Sequence, residues 1–390
     1  MKLAVTMLVF CVAALLALGW VMLYSSSMVQ VGARYLVMQL VWGALGVACC
    51  VAAAAMDYRL LKKLALPLLV VAILLLGLVL APGIGTKVNG ARRWFSASGI
   101  RFQPSEFAKL AVIIALAWYG ERFQRQMSDW KRGVVIPVAA VGLVLALIFV
   151  EPDRGTTILL AALSGLMLLV AGARWHHFVP PAVLGVAGLA ISIWQDPMRL
   201  KRVLSWMALE ETKADAGYQA YQAMIALGAG GWTGLGLGNG RQKFGFVPEH
   251  HTDFIFSIIG EELGLVATLL VVVAFVLIVI CGVYIAWNSS DTFGLLLGSG
   301  VSFLVGLQAF INIGVVTSAL PNKGLPLPFI SYGGSNLVVM LAGIGLLLSV
   351  ARRARAPEEI ARIRARLIEG RDDNPFRARP ELPEPAKGVS

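Results

Sequence analysis

Apolar residues in this chain come in long unbroken runs. They lack the alternation or three-and-four spacing that half-buried elements of a soluble fold show. Runs with few or no charges occupy residues 4–24, 36–56, 64–82, 105–119, 134–150, 155–172, 178–194, 254–287, 294–319 and 329–351. A helix needs roughly 20 such residues to cross a hydrocarbon core of about 30 Å. The pattern therefore predicts an all-α integral membrane protein with ten transmembrane helices. Between the seventh and eighth runs lies a polar interval, residues 195–253, far longer than an ordinary connection, and intervals of that length are usually functional. Within it "MRLKRVLSWMALEE" repeats Leu200, Val203, Leu204 and Met207 at helical spacing, with Lys201 and Arg202 on the opposite face. That predicts an amphipathic helix, either lying in the interface plane or packed over the bundle. The chain divides into a transmembrane domain, residues 1–351, with 195–253 as its large extracytoplasmic loop, and an Arg-rich tail, residues 352–390. The tail reads as helical from Pro357 to Glu369 and then as proline-rich and disordered.

Composition agrees with the pattern. Hydrophobic residues make up 58% of the 390 and charged residues only 14%, which no soluble globular domain of this size shows. The first run follows Lys2 but has no small-x-small cleavage site, so it reads as a span and not as a signal peptide. Cys11, Cys49, Cys50 and Cys281 all lie inside apolar runs, where a thiol behaves as a small hydrophobe. An even number of spans puts both ends on one side, and Arg352, Arg353, Arg355, Arg362, Arg364 and Arg366 mark that side as cytoplasmic. Arg59, Lys62 and Lys63 after the second run, and Arg122, Arg125, Lys131 and Arg132 after the fourth, fall on the same side. The net charge of +11 thus reflects orientation and attraction to anionic membrane lipids, and gives no reason to expect nucleic acid.

Some charges are left over. The outer loop "GTKVNGARRWFSASGIRF" carries Lys87, Arg92, Arg93 and Arg101 and no acid; it anchors in headgroups or forms an anion site. The fourth run opens "QPSEFAKLA", which suits Pro104 to a first helical position and puts Glu106 and Lys109 on one helix face. A lone charge at mid-helix costs on the order of 2.5–3.5 kcal/mol, so the acid and the base either neutralise each other or face a wet cavity. "EPDRGTTILL" offers Asp153 as a helix cap. "LPNKGLPLPFISYGGSN" is broken by proline and glycine at membrane depth, where irregular backbone survives only inside protein or beside a water-filled cavity. The stretch "GAGGWTGLGLGNGRQKFGFVPEHH" ends in Arg241 and Lys243, and its glycines suit either a nest of backbone amides for phosphate or a re-entrant turn. Last comes "FVPEHHTDFIFSIIGEELGL", with His250, His251 and Asp253 before an apolar helix and Glu261 and Glu262 inside it. Thr252 or Asp253 could cap that helix. A cap would be content with threonine, however, and the acid falls on the side where the cationic loops gather.

Four stretches carry a resemblance: "VNGARRW", "QPSEFAKLA", "GLGLGNGRQKFGFVPEHHTDFIFSIIGEELG" and "KGLPLPFISYGGSN", in that order between residues 88 and 336. In these the chain resembles the SEDS family (shape, elongation, division and sporulation), whose members are polytopic peptidoglycan glycosyltransferases. The last two blocks look more like the division type, with the sporulation type close to it, than like the elongation type. "GNGRQKFGF" departs slightly from the pattern, as does Asn336 where serine is common. The resemblance implies a ten-helix fold in the bacterial cytoplasmic membrane, at the division septum. It implies polymerisation, with inversion, of lipid II, a disaccharide-pentapeptide on undecaprenyl pyrophosphate. It also implies a class B penicillin-binding protein as transpeptidase partner, among other divisome membrane proteins. Asp253 falls at the family's essential aspartate, and Arg93, Glu106 and Lys109 at positions associated with activity.

That chemistry needs a proton acceptor and cations. A pyrophosphate leaves as a stable anion, so one carboxylate can suffice where a glycosidase uses two. Asp253 is the candidate base; a free aspartate, with a pKa of about 3.9, is a poor one, and partial desolvation would raise it. Arg93, Glu106, Lys109, Arg241, Lys243, His251, Lys323 and Ser331 form the candidate substrate-binding set, its cations holding the diphosphate. No His or Cys spacing suggests a dedicated metal site or cofactor, so a Mg or Mn ion would arrive with the substrate pyrophosphate. Two rivals stand beside this reading: a lipid-linked sugar flippase, which would also use broken helices and intramembrane charges, and a non-catalytic scaffold docked through the tail.

Overall fold

Every apolar run is helical in the computed structural model, which describes residues 1–88, 91–97, 100–215, 217–244, 251–322 and 324–354. In chain order the helices are α1 (Lys2–Val31), α2 (Arg34–Ala55), α3 (Leu61–Leu80), α4 (Pro104–Arg122), α5 (Ile136–Val150), α6 (Arg154–Val170), α7 (Val179–Trp194), α8 (Pro197–Met207), α9 (Tyr218–Ala229), α10 (Ile255–Trp287), α11 (Thr292–Val316) and α12 (Gly334–Arg352). Among the described residues eight helices are long and apolar enough to cross a membrane, namely α1, α2, α3, α5, α7, α10, α11 and α12. The other two apolar runs differ in kind. Helix α6 has only 17 residues, and α4 carries Glu106, Lys109, Glu121 and Arg122 along its length. The amphipathic spacing read from the long polar interval is realised as α8, which Asp196 caps by accepting from the amides of Met198 and Arg199. The tail helix expected over 357–369 lies outside the described residues.

Helices α11 and α12 form the centre of the bundle, with 67% and 72% of their most apolar stretch buried, whereas none of α7's is. Helix α2 packs along α12, α10 lies between α1 and α11, and α3 and α11 flank α4. The first cationic loop is a three-stranded antiparallel meander of β1 (Thr86–Val88), β2 (Ala91–Ala97) and β3 (Ile100–Phe102). Lys87 pairs with Arg92 and Ser96 with Arg101 across it. Ladder bonds satisfy backbone groups that an irregular chain packed against the bundle would leave without partners.

The run at 254–287 reads as one continuous helix, but α10 is broken at Gly264, whose φ of 76° is one that L side chains rarely adopt. The glycine-rich segment after α9 repairs the break. The amides of Leu265 and Val266 donate to the carbonyls of Gly231 and Trp232, and the carbonyls of Glu261 and Glu262 accept from the amides of Leu235 and Gly236. Those four bonds satisfy the backbone groups that the break frees, which is what allows a helix to be interrupted at membrane depth.

Candidate functional site

One end of the bundle holds a cavity of about 1300 Å³. The starts of α2, α4, α6 and α12 reach its wall, together with β2, the end of α7, α8, the residues just before α10 and the stretch before α12. Among the described residues its lining includes Arg34, Arg93, Arg101, Arg154, Arg199, Lys201 and Arg202 against Glu106, Asp153, Asp215 and Asp253. Cations outnumber acids, as a site for a multiply charged anion requires. Lys201 and Asp215 are paired with each other, and Arg199 Nε lies 2.9 Å from Asp196.

Asp253 stands on this wall, part-exposed, immediately before α10. The capping alternative does not hold for it: Phe254 occupies the N-cap position of α10 and makes no side-chain capping bond. The main chain around the acid is fastened to the stretch 324–333. Asn312 Nδ2 donates to the carbonyls of both Asp253 and Leu325, at 2.8 and 2.7 Å. Ser331 Oγ donates to the Thr252 carbonyl at 2.6 Å and accepts from the Leu327 amide. The Tyr332 amide donates to the His251 carbonyl, and Gln39 Nε2 donates to the Ser331 carbonyl at 3.0 Å. Gly324 faces the carboxylate so closely that a Cβ there would lie 2.7 Å from Asp253 Oδ2. His251 also lines the cavity, its ring stacked 4.8 Å from that of Tyr35.

Behind the wall lies a buried polar line. Glu106 reaches the cavity, and Lys109 Nζ sits 2.7 Å from its Oε2 with 0% exposure. Lys109 also donates to Gln308 Oε1 at 2.9 Å, while Gln308 Nε2 donates to the Pro326 carbonyl. Asn336 Nδ2 donates to Glu106 Oε2 at 2.8 Å. The chain of contacts runs from α4 through α11 to the segment that holds Asp253.

Arg93 lies on β2, with Nε and Nη2 donating to the carbonyls of Glu151 and Pro152 at 2.9 and 2.8 Å. The Glu151 carboxyl beyond it is fully buried, and neither oxygen has a hydrogen-bond partner. Burial, helped by the nearby charge of Asp153 and opposed by Arg93, pushes its pKa up to about 8. It is therefore uncharged at neutral pH and does not cancel the guanidinium of Arg93. Asp153 caps α6 by accepting from the Thr156 amide, as its position suggested.

The structure thus brings Arg93, Glu106, His251 and Asp253 together at one cavity, with Lys109 and Ser331 one layer behind. It does not bring Arg241 or Lys243 there. The amides of the glycine-rich segment are committed to the protein's own carboxylates: Gly238 donates to Glu262, and Arg241 and Gln242 donate to Glu261. Lys243 is buried with its Nζ 2.7 Å from Glu262 Oε1, and Ser25 of α1 donates to the same carboxylate at 2.6 Å. The re-entrant turn, not the phosphate nest, is what this segment forms here. Lys323 lies outside the described residues, as does His250. Sequence reasoning missed Gln39, Gln308 and Asn312, whose only signal was a polar amide inside an apolar run, and the cations Arg34, Arg154 and Arg199.

Residues 5–356 match the family model of FtsW, RodA and SpoVE, described as cell cycle protein. The chain belongs to this family. It is 39% identical over 348 residues to the probable peptidoglycan glycosyltransferase FtsW of Geobacter metallireducens, covering 88% of this chain and 93% of that one. It is 37% identical over 355 residues to the stage V sporulation protein E of Bacillus subtilis, covering 90% and 97%. Among solved structures it resembles a chain of a peptidoglycan synthase complex that coordinates polymerization and crosslinking, with a TM-score of 0.74, 32% identity and coverage of 88% and 96%. The rod shape determining protein RodA of Thermus thermophilus gives a TM-score of 0.66 at 29% identity, covering 90% and 97%. Within the FtsW, RodA and SpoVE family this chain is a multi-pass helical membrane protein, and every cavity-lining residue lies within the matched span.

Proposed function

We propose that this protein is a peptidoglycan glycosyltransferase that polymerises lipid II into glycan strands at the outer face of the bacterial cytoplasmic membrane during division. In this reading ten helices span the membrane, both termini are cytoplasmic, and a class B penicillin-binding protein and other divisome membrane proteins are its partners. The observation that carries the proposal is the placement of Asp253 on the wall of a cavity whose described lining holds seven arginine and lysine residues and four acids, Asp253 among them.

The reaction joins the 4-hydroxyl oxygen of one lipid-linked sugar to the anomeric carbon of another. Asp253 takes the hydroxyl proton as the new bond forms, and the bond from the anomeric carbon to the lipid diphosphate breaks. General base help of this kind contributes about 10²- to 10⁴-fold. The diphosphate departs as an anion, and Arg93 with the other wall cations stabilises the charge it gains, which fixed cations do well where water is scarce. Glu106 is held in the wall by Lys109 and Asn336, so Lys109 acts as a positioning residue. A Mg or Mn ion carried in by the diphosphate would supply further charge there. His251, stacked on Tyr35, presents a flat surface for a sugar ring.

The test is polymerisation of purified lipid II by the Asp253→Asn protein together with its transpeptidase partner. Loss of glycan from a folded variant is the expected result. Near-normal glycan output removes Asp253 from the base role, and movement of labelled lipid II across liposomes by the unpartnered protein would favour a flippase instead.

A further inference from the structure

Helix α11 carries two buried amide side chains one turn apart, Gln308 and Asn312, with 0% and 1% exposure. At that spacing both fall on one helix face, and both reach the irregular stretch before α12. Gln308 Nε2 donates to the Pro326 carbonyl, and Asn312 Nδ2 to the Leu325 carbonyl beside it. Asn312 does one thing more. The same nitrogen donates to the Asp253 carbonyl, at 2.8 Å against 2.7 Å for its bond to Leu325. A side-chain amide nitrogen has two hydrogens, and here each is spent on a different segment.

Those two segments meet at the acid. Asp253 stands just before α10, and Gly324, adjacent to Leu325, is the residue whose Cβ would come 2.7 Å from Asp253 Oδ2. One nitrogen therefore sets the separation between the main chain that carries the carboxylate and the main chain that the carboxylate lies against.

The two bonds satisfy carbonyls that irregular backbone at membrane depth would otherwise leave unmet. Stability alone does not explain the choice of side chain, because its Oδ1 is buried with no partner among the described residues, and an acceptor stripped of water with nothing in return opposes folding. Geometry at the acid does explain it. The amide is planar, so its two N–H bonds diverge at a fixed angle and hold two carbonyls at a fixed spacing, which a rotating hydroxyl with one hydrogen cannot do. We propose that Asn312 is a positioning residue for the glycosyl transfer: it holds the Asp253 backbone against residues 324–325 and thereby aims the carboxylate at the acceptor hydroxyl. The role exists only if Asp253 is the base proposed above.

The test measures initial rates of lipid II polymerisation by the full-length protein with its transpeptidase partner, against lipid II concentration and normalised to the folded fraction. Asn312→Ala is expected to lower kcat about 10- to 100-fold, since misplacing a reacting group by about 1 Å can cost that much. KM is expected to stay nearly unchanged, because the wall cations and His251 still meet the substrate. Asn312→Ser keeps one donor for two carbonyls; its kcat is expected to fall in between, and it carries the comparison if the alanine variant does not accumulate. Ser349→Ala removes a 2.6 Å bond to the Met56 carbonyl at the far end of α12, a buried tie of the same kind remote from the cavity, and is expected to lower the unfolding temperature with kcat kept. A kcat that survives both Asn312 substitutions, or a loss carried by KM instead, overturns the proposal. Asp253→Asn is assayed alongside: near-normal turnover there dismisses the base and leaves Asn312 nothing to position, whereas an inactive Asp253→Asn beside fully active Asn312 variants refutes the positioning role alone.

Discussion

Lys109 and Glu106 make the sharpest quantitative case. Lys109 has 0% of its side chain exposed and Glu106 3%, with 2.7 Å between Nζ and Oε2. Lys109→Met leaves the carboxylate buried with Asn336 Nδ2 as its remaining described donor, and leaves Gln308 Oε1 without the ammonium it accepts from. Breaking a buried pair from one side costs about 3–5 kcal/mol, because an uncompensated charge remains. Replacing both partners is a different experiment. Glu106→Gln with Lys109→Met removes both charges together and keeps an oxygen for Asn336, and neutral replacement of a buried pair is often close to isoenergetic. The double variant is therefore expected within about 1 kcal/mol of the unaltered protein, and so about 2–4 kcal/mol more stable than Lys109→Met alone.

The assay is thermal unfolding in detergent at fixed pH, read by tryptophan fluorescence, with lipid II polymerisation measured on the same samples. The two readouts answer separate questions. A double variant that is stable but inactive assigns the pair to the reaction through the cavity wall that Glu106 lines. A double variant that is stable and active reduces the pair to a structural tie. If Lys109→Met is as stable as the unaltered protein, or if the double variant is no more stable than the single, the buried-charge argument is wrong.

Three further outcomes follow from the site. Gly324→Ala puts a methyl group 2.7 Å from Asp253 Oδ2 at a position without a left-handed φ, so the carboxylate swings aside and the backbone stays; polymerisation is expected to fall by up to about 10²-fold with the unfolding temperature almost unchanged, and equal losses of both would contradict this. Glu151, whose pKa rises from 4.5 to about 8 on folding, gives stability that is fully present below the unfolded value and lost as pH rises towards about 8, with a slope of at most about 1.4 kcal/mol per pH unit. Glu151→Gln is expected to flatten that window, and parallel stability curves between pH 5 and 8 would count against it. Glu262→Gln strands the buried ammonium of Lys243, so limited proteolysis within residues 230–244 is expected to quicken; an unchanged digestion rate would show that the re-entrant turn holds without that pair.

Much of this was legible in the sequence because hydrophobic runs report burial in lipid directly. The helices stand where the runs stand, the amphipathic spacing at 197–207 is a helix, and Asp153 caps the helix it precedes. Two features were hidden for opposite reasons. The meander at 86–102 consists of strands too short for alternation to register, three residues each in β1 and β3. The break at Gly264 sits in an unbroken apolar run, and nothing local distinguishes it; what permits it is the loop of residues 231–236, whose backbone supplies the missing partners from about thirty positions earlier.

The three carboxylates around the start of α10 show why residue type alone could not assign roles. Glu261, Glu262 and Asp253 fall within ten residues, and the sequence offers the same chemistry three times. Glu261 and Glu262 are consumed by structure: each accepts from backbone amides of the re-entrant turn, and Glu262 from Lys243 and Ser25 as well. Around Asp253 the described fastenings act on the main chain, through Asn312 on its own carbonyl and through Ser331 and Tyr332 on the two residues before it. Glu261 and Glu262 are thus tied into the re-entrant turn through their carboxylates, whereas the main chain at Asp253 is tied down at the cavity wall. The difference between the three lies in amide and hydroxyl donors that arrive from α1, α11 and the turn before α12. Hence the acid could be picked out by its company of charges, but the latches that make it usable could be seen only once those distant segments were brought together.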